Sequence, residues 1–210
     1  MTENKTSLRT DHPLARIALE RLDERLGEVK RRFTCPMIWQ KGQSAKPQSA
    51  DLILSLFSLG QSGNLLEELR AVYESLKPEG LFLAALIGGE SLQELRDSLM
   101  QAELDLRGGA AARMAALPKP EDMGNALTQT GFAHPVVDHE SFTLLYDNIF
   151  ALLQDLRTQG CTYKPKNRTG SFAPRNLFAR ASLVYHERFA TPEGKIPATV
   201  DMIFLHGWRE

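Results

Sequence analysis

His134, Asp138 and His139 stand close enough together to suggest a metal site. No cysteine or third histidine follows at ligand spacing, so they read as structural or solvated side chains and no metal is expected. Ser55 and Ser58 lie in an apolar run without the GxSxG elbow that would expose a nucleophile. The pairs Gly88-Gly89 and Gly108-Gly109 lack the GxGxxG and GxxxxGK patterns, so they read as turns rather than phosphate cradles. Cys35 precedes Pro36 with no histidine nearby in sequence, which favours a buried thiol over a nucleophile. From Arg157 to Lys195, eight Lys and Arg face only Glu187 and Glu193, a net of +6. Its plain reading is a solvated helix face and loop. Its functional reading is a cap that steers an acidic partner, with Lys164, Lys166 and Arg168 between the anchors Tyr163 and Phe172.

The elements that must position these residues alternate. Leu14, Ile17, Ala18, Leu22, Leu26 and Val29 recur at helical spacing, and Pro13 suits a first helical turn. Phe33 to Trp39 predicts a short strand that Pro36 pushes towards an edge. Lys41 to Ala50 is a polar loop, and Leu52 to Leu59 is a continuous apolar run, the pattern of a strand covered on both faces. Asn64 and Glu67 predict a capping box for a helix that stops at Lys77-Pro78-Glu79-Gly80, before a second apolar strand at Leu81 to Ile87. Strand, helix, strand over 51–87 must be a parallel crossover. A helix over 91–106 begun by Ser91 with Glu94 follows, then a loop over 107–118 and a helix over 121–130 ended by Gly131. The remainder is expected as a strand over 135–146, a helix over 147–159 with Gly160 after it, a helix from Pro174 to about Phe189, and a last strand over 196–206. The class is α/β.

The chain of 210 residues is 42% hydrophobic and 24% charged, enough to build a core. A net charge of −1 argues against a whole-protein polyanion binder, so no nucleic acid is expected. Its apolar runs fall far short of a membrane span, so no membrane crossing is expected. Two distant cysteines and an N-terminus without an apolar core point to a cytoplasmic protein.

With these elements in view, the stretch Leu52 to Gly89 resembles the fourth and fifth strands of class I S-adenosylmethionine (SAM) methyltransferases. The helix ending at Gly131-Phe132 is similar to their penultimate helix and sixth strand. Three segments resemble the subgroup holding the complex I assembly methyltransferase-like proteins and the malonyl-carrier methyltransferase of biotin synthesis. These are Gly88-Gly89-Glu90-Ser91-Leu92-Gln93-Glu94-Leu95-Arg96, Glu103-Leu104-Asp105-Leu106-Arg107-Gly108-Gly109, and Pro197-Ala198-Thr199-Val200 with Gly207-Trp208. A helix over 22–33, with Lys30-Arg31-Arg32, resembles the segment before that subgroup's first strand.

The resemblance implies an acidic, glycine-rich SAM turn after the first strand, where this chain reads Met37-Ile38-Trp39-Gln40-Lys41-Gly42-Gln43. The family's second and third strands would have to fit before Asp51. A parallel crossover needs a dozen or more residues, but ten extended residues reach roughly 33 Å, enough for a direct return without a helix. A His-Trp pair of the subgroup is replaced by Gly60-Gln61.

The expected fold is therefore a truncated Rossmann-like class I methyltransferase sheet with helices on both faces, its strands ordered as the family's first, fourth, fifth, seventh and sixth. One domain over 1–210 is expected: a shortened N-terminal part (1–50), a sheet core (51–146), and C-terminal helices, basic loop and last strand (147–210). The loss of two strands would uncover apolar sheet surface and favour a protein partner or a homodimer. The expected function is a binding or assembly protein with no cofactor and no assigned catalytic residue. The alternative is a SAM-dependent enzyme that holds SAM through Leu59, Gly60 and Gln61, with the site completed by a partner or by the 41–50 loop.

Overall fold

The apolar spacing at the start of the chain produces α1 (Pro13–Gly27), which buries Leu14, Ala15, Ala18 and Leu22. The computed structural model describes residues 12–40, 42–44, 46–60, 64–109, 114, 117–158 and 176–210. α1 stops at Gly27, so Lys30, Arg31 and Arg32 lie beyond it and not in a helix over 22–33 as the resemblance implied.

Two strands follow, β1 (Pro36–Trp39) and β2 (Ala50–Leu56). They pair in parallel, Met37 opposite Ile53 and Trp39 opposite Ser55. The chain returns from one to the other with no helix or strand among the described residues of 40–49. Its end is tied down where Gln48 and Ser49 donate N–H to the carbonyls of Glu74 and Ser75. Pro36 opens the edge strand, where its missing N–H interrupts no ladder.

Asn64 caps α2 (Leu65–Ser75), its side chain accepting the Glu67 N–H at 3.3 Å. The chain passes directly into β3 (Leu76–Gly88), which incorporates the residues expected as a stop signal. β2 and β3 pair in parallel, Ile53 opposite Phe82, as a crossover requires.

α3 (Gln93–Arg107) begins later than expected and without the capping box, because Leu92 takes the cap position in a left-handed conformation. The two expected box residues are engaged elsewhere. The Ser91 hydroxyl donates to the Asp201 carbonyl and accepts its N–H, and Glu94 accepts from the Thr199 N–H and hydroxyl. Gly108 ends α3 at φ +70°, the turn role expected of it.

α4 (Pro120–Thr130) ends at Gly131, φ +102°, and leads into β4 (Ala133–Tyr146). α5 (Ile149–Thr158), α6 (Leu177–Phe189) and β5 (Ile196–Arg209) complete the described chain. Gly160 lies outside the described residues. The sheet runs β1-β2-β3-β5-β4, the order expected when two strands are removed from the family sheet.

Two compact units share these elements. The first holds residues up to Gly89, Pro118–Glu140 and Met202–Glu210. In it α2 and α4 cover one sheet face through Leu69, Val72, Met123 and Leu127, which pack with Ile53, Phe82 and Ile203. α1 contacts β2 and β3. Phe132 stacks on Phe82 at 5.5 Å, and the Arg209 guanidinium closes α2 by donating to the carbonyls of Tyr73, Glu74 and Leu76. The second unit holds Glu90–Leu117 and Ser141–Asp201. There α3 packs on α6, Arg180 pairs with Asp105 at 2.6 Å, and the Tyr185 hydroxyl donates to the Pro197 carbonyl.

Candidate functional site

In a parallel α/β sheet the ligand end is the carboxyl end of the strands, here Trp39–Gln40 after β1 and Phe57–Gly60 after β2. Trp39 is 2% exposed and belongs to the α2–α4 core. Its register partner Ser55 is fully buried, and the Ser55 hydroxyl has no hydrogen-bond partner among the described residues. After Trp39 the chain turns on itself: the Gln40 N–H donates to Gln43 Oε1 at 2.9 Å, and Gln43 Nε2 donates to the Met37 sulfur.

β2 ends abruptly. Phe57 stands at φ +51°, a conformation that bulky side chains avoid, while its N–H still donates to the Ala85 carbonyl. Leu59 is buried in the core. Gly60 is exposed at φ +74°, and its N–H donates to Glu68 Oε2 at 2.7 Å. The second Glu68 oxygen, Oε1, is buried with no hydrogen-bond partner among the described residues. Gly42 and Gly60 both stand at positive φ, +70° and +74°, which their turns require, and a Cβ added at either would meet nothing within 4 Å among the described residues.

Of the expected cofactor contacts, Leu59 and Gly60 are thus adjacent but differ in character, and Gln61 lies outside the described residues. The expected partner-binding set, Tyr163, Lys164, Lys166, Arg168 and Phe172, also lies outside them. His134 and His139 are exposed, and no group of three or more potential metal-ligating side chains occurs among the described residues.

Two concavities lie elsewhere in the first unit. One, of about 400 Å³, runs between α1 and strands β1 and β2 and is lined chiefly by Leu19, Leu22, Leu26, Ile38, Leu54 and Leu56. Ile38 is 56% exposed there, in line with the expected loss of cover over the sheet. The second, of about 360 Å³, has Arg25 and His206 in its wall. The Arg25 guanidinium lies 4.0 Å above the Phe204 ring and donates to Asp138. Burial, with His134 adding to it, holds the His206 imidazole below its usual range.

Cys35 departs from the buried thiol expected. It is half-buried, and Lys77 Nζ donates to its sulfur at 3.1 Å. That contact, with a weaker one from Thr34, holds the thiol below its ordinary range. Asp51 fixes the backbone beneath it, Oδ1 accepting the Cys35 N–H and Oδ2 the Thr34 N–H and hydroxyl. Sequence spacing carried no signal for this pair, because Lys77 reads there only as part of a helix stop.

No family model matches the chain. It is 36% identical over 172 residues to arginine-hydroxylase NDUFAF5, mitochondrial, of Dictyostelium discoideum, which covers 80% of this chain and 38% of that one. The zebrafish (Danio rerio) protein of the same name is 33% identical over 175 residues, covering 83% of this chain and 54% of the relative. A malonyl-[acyl-carrier protein] O-methyltransferase of Halorhodospira halophila is 29% identical over 160 residues, 76% of this chain and 52% of that one. The chain thus spans about half or less of the length of the curated relatives it matches. The crystal structure of the YcgJ protein of Bacillus subtilis superposes with a TM-score of 0.49 at 12% identity, covering 80% of this chain and 68% of that one. The mitochondrial names of the NDUFAF5 relatives overturn the cytoplasmic expectation, which had rested on cysteine usage and the residues at the N-terminus. No helix among the described residues is long and apolar enough to cross a membrane.

Proposed function

We propose, for a chain that belongs to the class I SAM-dependent methyltransferase superfamily, a binding or assembly role in which SAM capture is impaired. One observation carries the reading: the residue that closes β1 is a buried tryptophan, followed by a direct return to β2. SAM offers a ribose diol, an adenine and a charged methionine end, which need a carboxylate and a backbone bare enough to approach closely. Here a single glycine, Gly42, and no carboxylate stand in the turn after β1, and at the end of β2 Glu68 Oε2 accepts from the chain's own Gly60. On this reading the described residues do not hold an adenosyl group, and we derive no transfer step through one.

On this reading the two units act together as one methyltransferase-like domain, and the apolar groove beside Ile38 receives a protein partner or a second copy. The basic segment over 157–195 steers an acidic surface towards the chain. The names of the NDUFAF5 relatives support a mitochondrial setting.

Thermal unfolding with added SAM tests this proposal. A ligand at a hundred times its Kd stabilises by about 2.7 kcal/mol, which in a domain of this size raises Tm by roughly 5–10 °C. No rise is expected, and a rise of that size contradicts the reading.

A second reading, an active enzyme with SAM at Leu59, Gly60 and Gln61, is favoured by one feature. Glu68 Oε1, on the side chain that caps the Gly60 N–H, is a buried acceptor without a donor among the described residues, which a ligand hydroxyl would satisfy. Transfer of a labelled methyl group once a natural partner is added supports it, and absence of transfer under those conditions contradicts it. The names of the relatives, a hydroxylase and an O-methyltransferase, do not choose one reaction between them.

A further inference from the structure

The thiol at the amino end of β1 has a chemical setting that the proposed function does not use. Lys77, on β3, reaches across to place Nζ 3.1 Å from Cys35 Sγ. The strand between them supplies the clamp, since Asp51 on β2 takes the N–H groups of both Thr34 and Cys35. The Asp51 N–H in turn donates to the Cys35 carbonyl. The sulfur is therefore held on a fixed backbone beside an amine while remaining half-open to solvent. A thiol beside a lysine carries more thiolate, the form that attacks electrophiles. The lowered position of the Cys35 thiol agrees with this geometry.

We propose that Cys35 and Lys77 form an oxidisable thiol–amine pair that reacts with hydrogen peroxide and closes into a reversible covalent link between the start of β1 and β3. In the first step the Cys35 thiolate attacks one peroxide oxygen and the O–O bond breaks. Sulfur loses two electrons and becomes the sulfenic acid, and the departing hydroxide takes a proton from the Lys77 ammonium to leave as water. In the second step the neutral Lys77 amine attacks the sulfenic sulfur. An S–N bond forms, the S–O bond breaks, and the hydroxyl leaves with an amine proton as a second water. Thiols reverse the link by attacking sulfur, which returns the amine to Lys77. The consequence is structural: the edge strand, joined to the sheet only through β2, is fastened to β3 as well.

The test uses the full chain with Cys161→Ser, which removes the competing thiol, treated with hydrogen peroxide and digested for mass spectrometry. The expected product is a Cys35–Lys77 linked peptide with a net loss of about 2 Da, the two hydrogens carried away as water, and it disappears on reduction with dithiothreitol. Lys77→Met abolishes the link and slows the loss of the Cys35 thiol by roughly threefold or more, since the thiolate loses its donor. Oxidation of unsubstituted Cys35 to sulfenic or higher acids with no linked peptide overturns the proposal. So does a linked peptide that forms while Lys77→Met loses its thiol at the same rate, because the lysine then plays no part in the first step. The linked peptide is read on a chain that keeps both residues, so poor folding of the variant does not mask the answer.

Discussion

Trp39 and Ser55 are register partners at the carboxyl ends of β1 and β2, a buried indole paired with a buried hydroxyl that has no hydrogen-bond partner among the described residues. A buried hydroxyl without a partner costs free energy that an apolar replacement recovers. Ser55→Ala is therefore expected to leave stability unchanged or raise it by up to about 1 kcal/mol, read from denaturant midpoints. A loss above about 1 kcal/mol would mean that the hydroxyl is satisfied in solution.

Gly88 closes β3 where no side chain fits. A Cβ there would stand 2.5 Å from the Pro118 carbonyl oxygen and 2.3 Å from Ile203 Cδ1. The isoleucine can turn away, but the carbonyl is backbone, and the next residue, Gly89, donates its N–H to the same oxygen. Gly88→Ala should cost about 2 kcal/mol, measured by urea unfolding. An unchanged midpoint would show that the 118 segment moves freely.

Asp51 gives the fold an acid dependence. Burial alone would raise its carboxyl, but the Thr34 and Cys35 N–H groups and the Thr34 hydroxyl outweigh that and hold it below its ordinary value of 3.8. A group depressed in the folded state contributes its stability above the unfolded pKa and loses it as pH falls through the folded one. Asp51→Asn should cost about 2–3 kcal/mol at pH 7. That difference should shrink below about pH 4. A difference that stays constant down to pH 2 would mean that the carboxylate charge contributes nothing.

Ile38 tests the uncovered face. It is 56% exposed on an edge strand, next to the groove lined by Leu19, Leu26 and Leu54. If a second copy seats there, Ile38→Lys should convert a concentration-dependent dimer into a monomer in light scattering, with the melting temperature of the isolated chain unchanged. A dimer that survives the substitution places its interface elsewhere.

Where the sequence was legible, the cause was local or topological. Asn64 before an apolar helical stripe predicts its own cap, and Gly131 its own left-handed turn. The ten residues ahead of Asp51 leave no length for a crossover helix, and the strand order comes from the resemblance, as the family order with two strands removed. Where it was not legible, distant partners decided. Ser91 and Glu94 have the spacing of a capping box, yet Asp201 and Thr199, more than a hundred residues on, take their side chains. Lys77 has the sequence neighbours of a helix stop, and its contact with Cys35 spans 42 positions. The strained Phe57 likewise breaks a run, Leu52 to Leu59, that reads as uninterrupted strand, and β2 stops at Leu56.

Isothermal titration of the purified chain with SAM tests the central claim most directly. With Trp39 built into the core and Glu68 Oε2 taken by the Gly60 N–H, no saturable heat is expected up to about 1 mM SAM, an affinity weaker than about −4 kcal/mol. A single-site isotherm with a micromolar Kd, obtained with this polypeptide alone, would contradict it.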